Sequence, residues 1–141
     1  MLFRSCRTFR IGKVSPEVDR LVKVTEECFF KGIEGLKAGT PLYDIGYRVQ
    51  KHAESFGYGV IRSYTGHGIG KEMHEDPSVP NYGKLGTGMR LKEGMVLCIE
   101  PMIAMGDWRV RLLDDGWGAV TVDGKAAAHY ENTVVVRKDG V

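Results

Sequence analysis

Apolar residues recur at helical spacing in the first part of the chain. Ser15 and Pro16 are typical of a helix start, because serine caps free backbone amides and proline is tolerated at the first helical position. Apolar side chains then continue at intervals of three and four residues as far as Leu36, and Gly39 follows. This pattern predicts an amphipathic helix over residues 16–36.

A second apolar stripe follows directly. Thr40 and Pro41 repeat the start signal, and Asp44 lies where a negative charge suits the positive end of a helix dipole. The stripe continues to Phe56, and Gly57 marks its end. The sequence therefore predicts a second amphipathic helix, and the two helices need a common surface to cover.

Beyond the helices the period changes to two, which is typical of strands. The segments that show it are residues 60–64, 96–102, 108–113, 117–122 and 130–136. Residues 1–14 are predicted to be a strand or an extended segment, and residues 77–94, rich in Gly, Asn, Pro and Lys, a surface loop. The turn signal at residues 114–116 predicts an antiparallel hairpin. Helices followed by an antiparallel sheet give an α+β fold, with a single domain over residues 1–141.

Composition agrees with a globular domain. The 141 residues are 43% hydrophobic and 27% charged, and the net charge is only +2 with the basic residues scattered, which argues against a specific nucleic-acid partner. No apolar run approaches the roughly 20 residues that span a bilayer, and the first residues lack the apolar core of a secretory signal. We therefore expect a cytoplasmic protein with no membrane partner.

The cysteines indicate neither a disulfide framework nor a structural zinc site. There are three of them, Cys6, Cys28 and Cys98, without the CxxC spacing of a zinc ligand pair. Cys98 lies in an apolar strand and is predicted to be a small buried side chain.

Three polar residues in apolar or glycine-rich surroundings form a candidate metal site. His67 lies between two glycines, Glu100 extends an apolar strand face, and Glu131 begins another apolar strand. A buried ionised carboxylate needs a partner, and a metal ion is one. The alternatives are an ion pair between Glu100 and Arg109 or Arg111, and a solvated Glu131.

The remaining histidines are assigned less directly. His74 is a candidate donor to a substrate carbonyl, the alternative being a loop histidine bonded to Glu75 or Asp76. His129 is interpreted as a surface histidine, with a supporting hydrogen bond to a ligand as the alternative. His52, on the second predicted helix, has no functional neighbour in the sequence, so His52 and His129 are both left outside the site.

Several motifs occur together in an order and spacing that resemble a known family. They are Gly66-His67-Gly68-Ile69-Gly70, Met73-His74-Glu75-Asp76-Pro77, Ile99-Glu100-Pro101-Met102, Asp115-Gly116-Trp117 and Tyr130-Glu131-Asn132-Thr133. In this arrangement the chain resembles the C-terminal half of a type I methionine aminopeptidase, over nearly its whole length. The resemblance implies the C-terminal half of a pita-bread fold, with two helices packed on a curved antiparallel sheet.

The resemblance also implies a function and a ligand set. The family removes the initiator methionine from nascent polypeptides with two divalent ions, of Co, Mn, Fe or Zn. By resemblance His67, Glu100 and Glu131 are metal ligands. The resemblance further implies that Glu100 handles the attacking water as acid and base, and that Glu131 bridges the two ions.

Substrate contacts are implied in the same way. His74 would contact the scissile carbonyl and, with Glu100, carry the catalysis. Tyr64 and Trp117 would join His74 in binding the substrate.

The sequence departs from the family in the ligands that it lacks. The family's other ligands are two aspartates in the N-terminal half, most of which this sequence lacks. Aligning Phe9, Gly12 and Lys13 places Arg4 near the second of these aspartates. Two divalent ions carry a charge of about +4, whereas Glu100 and Glu131 supply about −2. We therefore expect one ion or none, and weak or no activity, in this chain alone.

The absence of most of the family's N-terminal half also predicts a binding partner. Half of such a fold exposes a sheet edge and an apolar wall, which predicts a homodimer or a complex with a complementary N-terminal half. Two alternatives to an aminopeptidase stay open. One is a non-catalytic pita-bread module that binds peptides or proteins, and the other is a relative of prolidase or aminopeptidase P.

Overall fold

A computed structural model describes residues 2–141 of the chain. Within that range there are two helices and nine strands. In chain order they are β1 (Ser5–Arg7), α1 (Pro16–Ile33), α2 (Tyr43–Ser55), β2 (Gly59–Val60), β3 (Gly66–Gly68), β4 (Glu75–Val79), β5 (Val96–Ile99), β6 (Met102–Ala104), β7 (Val110–Leu112), β8 (Ala119–Thr121) and β9 (Ala127–Val135).

Strand β9 organises the main sheet, whose order is β2-β6-β9-β5-β3-β4 with β1 also paired to β9. Along one edge of β9, β6 and β5 pair one after the other in an antiparallel register that is continuous across both. Strand β1 pairs antiparallel with residues of β9 from the other edge. The hairpin predicted at residues 114–116 is confirmed as the separate pair β7 and β8.

The two helices pack on this antiparallel sheet, as predicted. One core cluster joins Phe29 of α1 and Ile45 of α2 to Leu97 and Ile99 of β5. A second cluster joins further apolar residues of both helices to β2, β6 and β9, and its Ile103 is fully buried. Each helix therefore buries its apolar stripe against one face of the sheet.

The helix starts differ from each other. Ser15 caps α1 as predicted, and its Oγ accepts a hydrogen bond from the backbone N–H of Val18 at 3.4 Å. The prediction that Thr40 and Pro41 start α2 is wrong, because the helix begins at Tyr43. Thr40 Oγ1 instead accepts from the backbone N–H of Lys37 at 3.2 Å, so it stabilises the turn between the helices.

Several strands differ from the predicted ones: for example, β2 ends at Val60 instead of residue 64, and β9 begins at Ala127 instead of residue 130. The predicted strand 96–102 is two strands, because Pro101 has no N–H to donate and the ladder is interrupted at Glu100. Strand β3, inside the glycine-rich motif, was not predicted. The predicted loop 77–94 begins with the end of β4, and its Asn81 and Leu91 are buried.

Two further points concern the ends of predicted elements. Helix α1 ends at Ile33 rather than at residue 36. Within the predicted segment 1–14, residues 5–7 form a strand, and residue 1 lies outside the described range.

Among the described residues, no helix is long and apolar enough to cross a membrane.

Candidate metal centre

Three neighbouring strands bring the predicted ligands together. In the sheet, β5 lies between β3 and β9, and His67 of β3 pairs with Cys98 of β5. The register that pairs Ile99 with Asn132 continues to place Glu100 beside Glu131. The predicted grouping of His67, Glu100 and Glu131 therefore follows from strand pairing, although all three come from separate parts of the sequence.

Glu100 lies between two histidines. Its Oε1 is 3.5 Å from Nε2 of His67, and its Oε2 is 3.3 Å from Nε2 of His129. The side chains of His67 and Glu100 are almost fully buried. The alternative ion pair with Arg109 or Arg111 is not formed among the described residues: the Arg109 guanidinium binds Asp107, and the charged partners of Glu100 are the two histidines.

The tautomer of His67 follows from its backbone contact. Its Nδ1 lies 2.8 Å from the carbonyl oxygen of Gly68, which can only accept, so Nδ1 carries the proton. In the neutral imidazole, Nε2 then has a free lone pair and points toward Glu100. This is the arrangement that a metal-binding histidine needs.

Four buried polar atoms in this cluster have no hydrogen-bond partner in the described part of the chain. They are Nε2 of His67, Nε2 of His129, and both carboxylate oxygens of Glu131. Unpartnered buried polar atoms are costly and rare in folded proteins. Burial raises the pKa of Glu131, and the nearby Glu100 charge raises it further, while Arg4 lowers it.

The donor set fits a divalent ion. Two overlapping groups of described residues have potential ligand atoms all within 4.8 Å of one another: His67 with Cys98 and Glu131, and Glu100 with His129 and Glu131. Carboxylate oxygens and imidazole nitrogens suit Zn, Mn, Fe or Co more than Ca. Burial raises the pKa of the Cys98 thiol, which disfavours its thiolate. With two carboxylates, the cluster balances the charge of one such ion.

Two of the predicted substrate contacts, His74 and Tyr64, lie near residues of this cluster. The His74 ring centroid is 4.3 Å from that of His67, and its Nε2 accepts a hydrogen bond from Nη1 of Arg4 at 3.0 Å rather than bonding to Glu75 or Asp76. Tyr64 lines a cavity of about 260 Å³ together with His129.

Trp117 differs from the other two predicted contacts. It lies after the turn between β7 and β8 and is 90% exposed, so it packs against little of this chain. Its role in substrate binding stays a prediction.

His129 lies in this cluster, although the sequence placed it outside the site. Its Nε2 is as close to Glu100 as that of His67, although a surface position was expected. The signal was present in the strand pattern, because His129 and Glu131 are two residues apart on β9 and so share a face. His52, also left out, pairs with Glu27 at 2.9 Å on the helices.

Comparisons with known proteins agree on one group. Residues 3–138 match the family described as Metallopeptidase family M24. Methionine aminopeptidase from Clostridium acetobutylicum is 55% identical over 136 residues, covering 96% of this chain and 54% of the relative. Methionine aminopeptidase A from Synechocystis is 53% identical over 135 residues, covering 96% of this chain and 53% of the relative. The chain spans about half the length of the curated relatives it matches.

Similar solved structures include a methionine aminopeptidase and a prolidase. The crystal structure of methionine aminopeptidase from Rickettsia prowazekii matches with a TM-score of 0.95 and 45% identity, covering 98% of this chain and 56% of that one. Prolidase from Pyrococcus furiosus matches with a TM-score of 0.72 and 24% identity, covering 95% of this chain and 34% of that one. The likeness to prolidase is evidence of a shared fold alone.

Proposed function

Because the chain belongs to metallopeptidase family M24, we propose that it supplies the metal-binding half of a methionine aminopeptidase. The observation that carries this proposal is the buried cluster of His67, Glu100 and Glu131. In it, Nε2 of His67 and both carboxylate oxygens of Glu131 have no hydrogen-bond partner among the described residues. Buried polar atoms without partners are costly, and a bound metal ion would supply a partner for them. The proposed substrate is a polypeptide that begins with methionine.

Each residue of the cluster has a proposed role. His67, Glu100 and Glu131 would hold the metal, which when bound supplies Lewis-acid chemistry to water and to the substrate carbonyl. Glu100 would accept a proton from the attacking water and donate it to the leaving amine. His74, whose ring lies beside that of His67, would donate a hydrogen bond to the carbonyl oxygen. Tyr64 and Trp117 would contact the substrate.

Activity is proposed to need a second polypeptide segment. Glu100 and Glu131 balance about two positive charges, so a second divalent ion requires further carboxylates. The curated relatives are about twice as long as the matched region, and their remaining part is the proposed source. Phe9 and Ile11 are 76% and 84% exposed, which gives a partner segment, or a second copy of the chain, apolar surface to cover.

A second candidate function is a peptide-binding module without catalysis. The observation that favours it is Arg4, which forms an ion pair with Glu131 and a hydrogen bond with His74. A guanidinium at that place partly satisfies Glu131 without a metal. In this case His74 and the cavity beside Tyr64 would serve binding alone.

The deciding experiment measures methionine release from a Met-Ala-Ser peptide. The chain is assayed alone, and then with the portion of the Clostridium acetobutylicum methionine aminopeptidase that it does not match, in the presence of Co²⁺ or Mn²⁺. We expect turnover only in the reconstituted mixture. Glu100→Gln should abolish that turnover, whereas Glu93→Gln, in an exposed loop, should not. Reconstitution that binds the peptide but releases no methionine would favour the binding module.

A further inference from the structure

The imidazole of His129 is partly buried, and its Nε2 is a buried nitrogen donor that the proposed function does not use. Its Nε2 is inaccessible to solvent and has no hydrogen-bond partner, although it lies 3.3 Å from Oε2 of Glu100. It therefore faces the carboxylate oxygen that His67 does not face, since His67 is nearest to Oε1. Glu100 has an imidazole on each side.

The backbone of His129 is fixed by its neighbours. The Thr8 hydroxyl donates to the carbonyl oxygen of His129 at 3.0 Å, and the N–H of His129 donates to the same hydroxyl at 2.9 Å. On the other side His129 pairs with Met102 of β6. The imidazole thus projects from a strand that is held at both edges, which is how a ligand is kept in place.

The remaining donors are within reach of a common ion. One ligand atom each from Glu100, His129 and Glu131 can be chosen so that all lie within 4.8 Å of one another. Both oxygens of Glu131 lack a hydrogen-bond partner, as does Nε2 of His129. Three protein ligands that leave a position open are typical of catalytic zinc-type sites.

We propose that His129 is a metal ligand in this chain and binds one divalent ion together with Glu100 and Glu131. The inference deepens the proposed function, because it rests on the same metal centre and adds a ligand to it. It also explains how an ion can be held by residues of this chain alone: His129 supplies a neutral donor beside Glu100, and the two carboxylates balance the charge of the ion.

The test is the ¹H NMR spectrum of the full 141-residue chain loaded with Co²⁺. A cobalt-bound imidazole gives a strongly shifted, exchangeable N–H signal, so each bound histidine is counted directly. In His67→Gln we expect one such signal to remain, from His129. In His129→Gln we expect that signal to be lost and the affinity for Co²⁺ to fall about 10-fold or more in competition with a chromophoric chelator.

The controls separate ligation from folding. His52→Gln replaces a histidine that pairs with Glu27 outside the cluster, and both signals and affinity should stay unchanged. If His129→Gln does not fold, as judged by circular dichroism in chelator, His67→Gln still decides the question. Loss of every shifted signal in His67→Gln would overturn the proposal, and so would their full retention in a folded His129→Gln.

Failure of this proposal is distinguishable from failure of the proposed function. The NMR and affinity measurements need no turnover, so they give a result even if the chain is only a binding module. Conversely, a reconstituted enzyme can release methionine with His67 as the only imidazole ligand. A thiolate-to-cobalt absorption band, with no signal from His129, would assign the ion to His67, Cys98 and Glu131 and would also overturn the proposal.

Discussion

The Nε atom of Arg4 lies 3.6 Å from Oε1 of Glu131, whose side chain is fully buried. Nη1 of the same arginine lies 3.0 Å from Nε2 of His74. The guanidinium thus places a positive charge against a carboxylate that the proposed metal centre needs. We therefore expect Arg4 to compete with a divalent ion for Glu131.

Replacing Arg4 should strengthen metal binding. We expect Arg4→Ala to raise the affinity for Zn²⁺ or Co²⁺ about 5-fold, since a partly exposed ion pair contributes roughly up to 1 kcal/mol. Arg4→Asp should raise it further, because a carboxylate then replaces the competing cation. Competition with a chromophoric chelator measures both. Arg10→Ala is the matched control, because Arg10 has a similar exposure and pairs with Asp19 on the surface. Equal affinity in all the variants would contradict the competition.

Glu131→Gln should have opposite effects with and without metal. In the metal-free chain we expect the variant to be more stable near neutral pH, because it removes a buried charge without changing the side-chain shape. With saturating metal we expect the wild-type chain to be more stable, because a ligand that binds only the folded state stabilises it. Thermal unfolding in chelator and in metal measures both differences, with Glu34→Gln, at an exposed carboxylate, as the control.

The pH dependence of the same variant has a definite sign. Burial raises the pKa of Glu131 in the folded state above its ordinary value of 4.5. The contribution of Glu131 to stability is therefore fully present below pH 4.5 and is lost as the pH rises through the folded-state pKa. We expect the advantage of Glu131→Gln in chelator to vanish toward acid pH, by about 1.4 kcal/mol for each unit of pKa difference. A constant advantage at every pH would contradict this origin.

Local patterns predicted much of this structure. The Ser15 cap, the apolar stripes of both helices and the turn after β7 depend on residues close in sequence, so they were readable directly. The combination of one histidine and two carboxylates in apolar or glycine-rich surroundings also predicted that His67, Glu100 and Glu131 belong together, and strand pairing brings them into one cluster. Their role as ligands stays a prediction.

The missed features depend on contacts between distant segments. Arg4 and His129 enter the cluster only because β1 and β6 pair with opposite edges of β9, and neither pairing has a local signal. The break between β5 and β6 was missed because Pro101 was included in a continuous apolar strand. Alternation along β9 would have placed His129 on the face of Glu131, had the strand been predicted to begin before residue 130.

Cys28 should be almost inert toward alkylating agents in the folded chain. Burial raises the pKa of its thiol from 9.0 to about 12, so near pH 8 its thiolate is about 1000-fold scarcer than that of an ordinary cysteine. We expect iodoacetamide to label half-buried Cys6 first and Cys28 only after unfolding in urea, as measured by mass spectrometry. The same shift implies that stability is lost as the pH rises above 9.0 toward 12. Equal labelling of Cys28 with and without urea would contradict its burial.

Gly46 fixes the distance between α2 and the segment that follows β4. A Cβ atom at this position would overlap the carbonyl oxygens of Pro80 and Tyr82, which are backbone atoms and cannot rotate away. We expect Gly46→Ala to lower the free energy of unfolding by about 1–3 kcal/mol, although alanine favours helices by about 1 kcal/mol over glycine. Urea unfolding measures the change. Gly140→Ala is the control, since a Cβ there meets no atom within 4 Å.

Gly46→Ala should also weaken metal binding. Asn81 lies between the two carbonyls and donates to the backbone oxygen of Glu100 at 2.9 Å, so a displacement of this segment should reach the proposed metal centre. An unchanged affinity for the metal would show that the packing of α2 does not influence that centre.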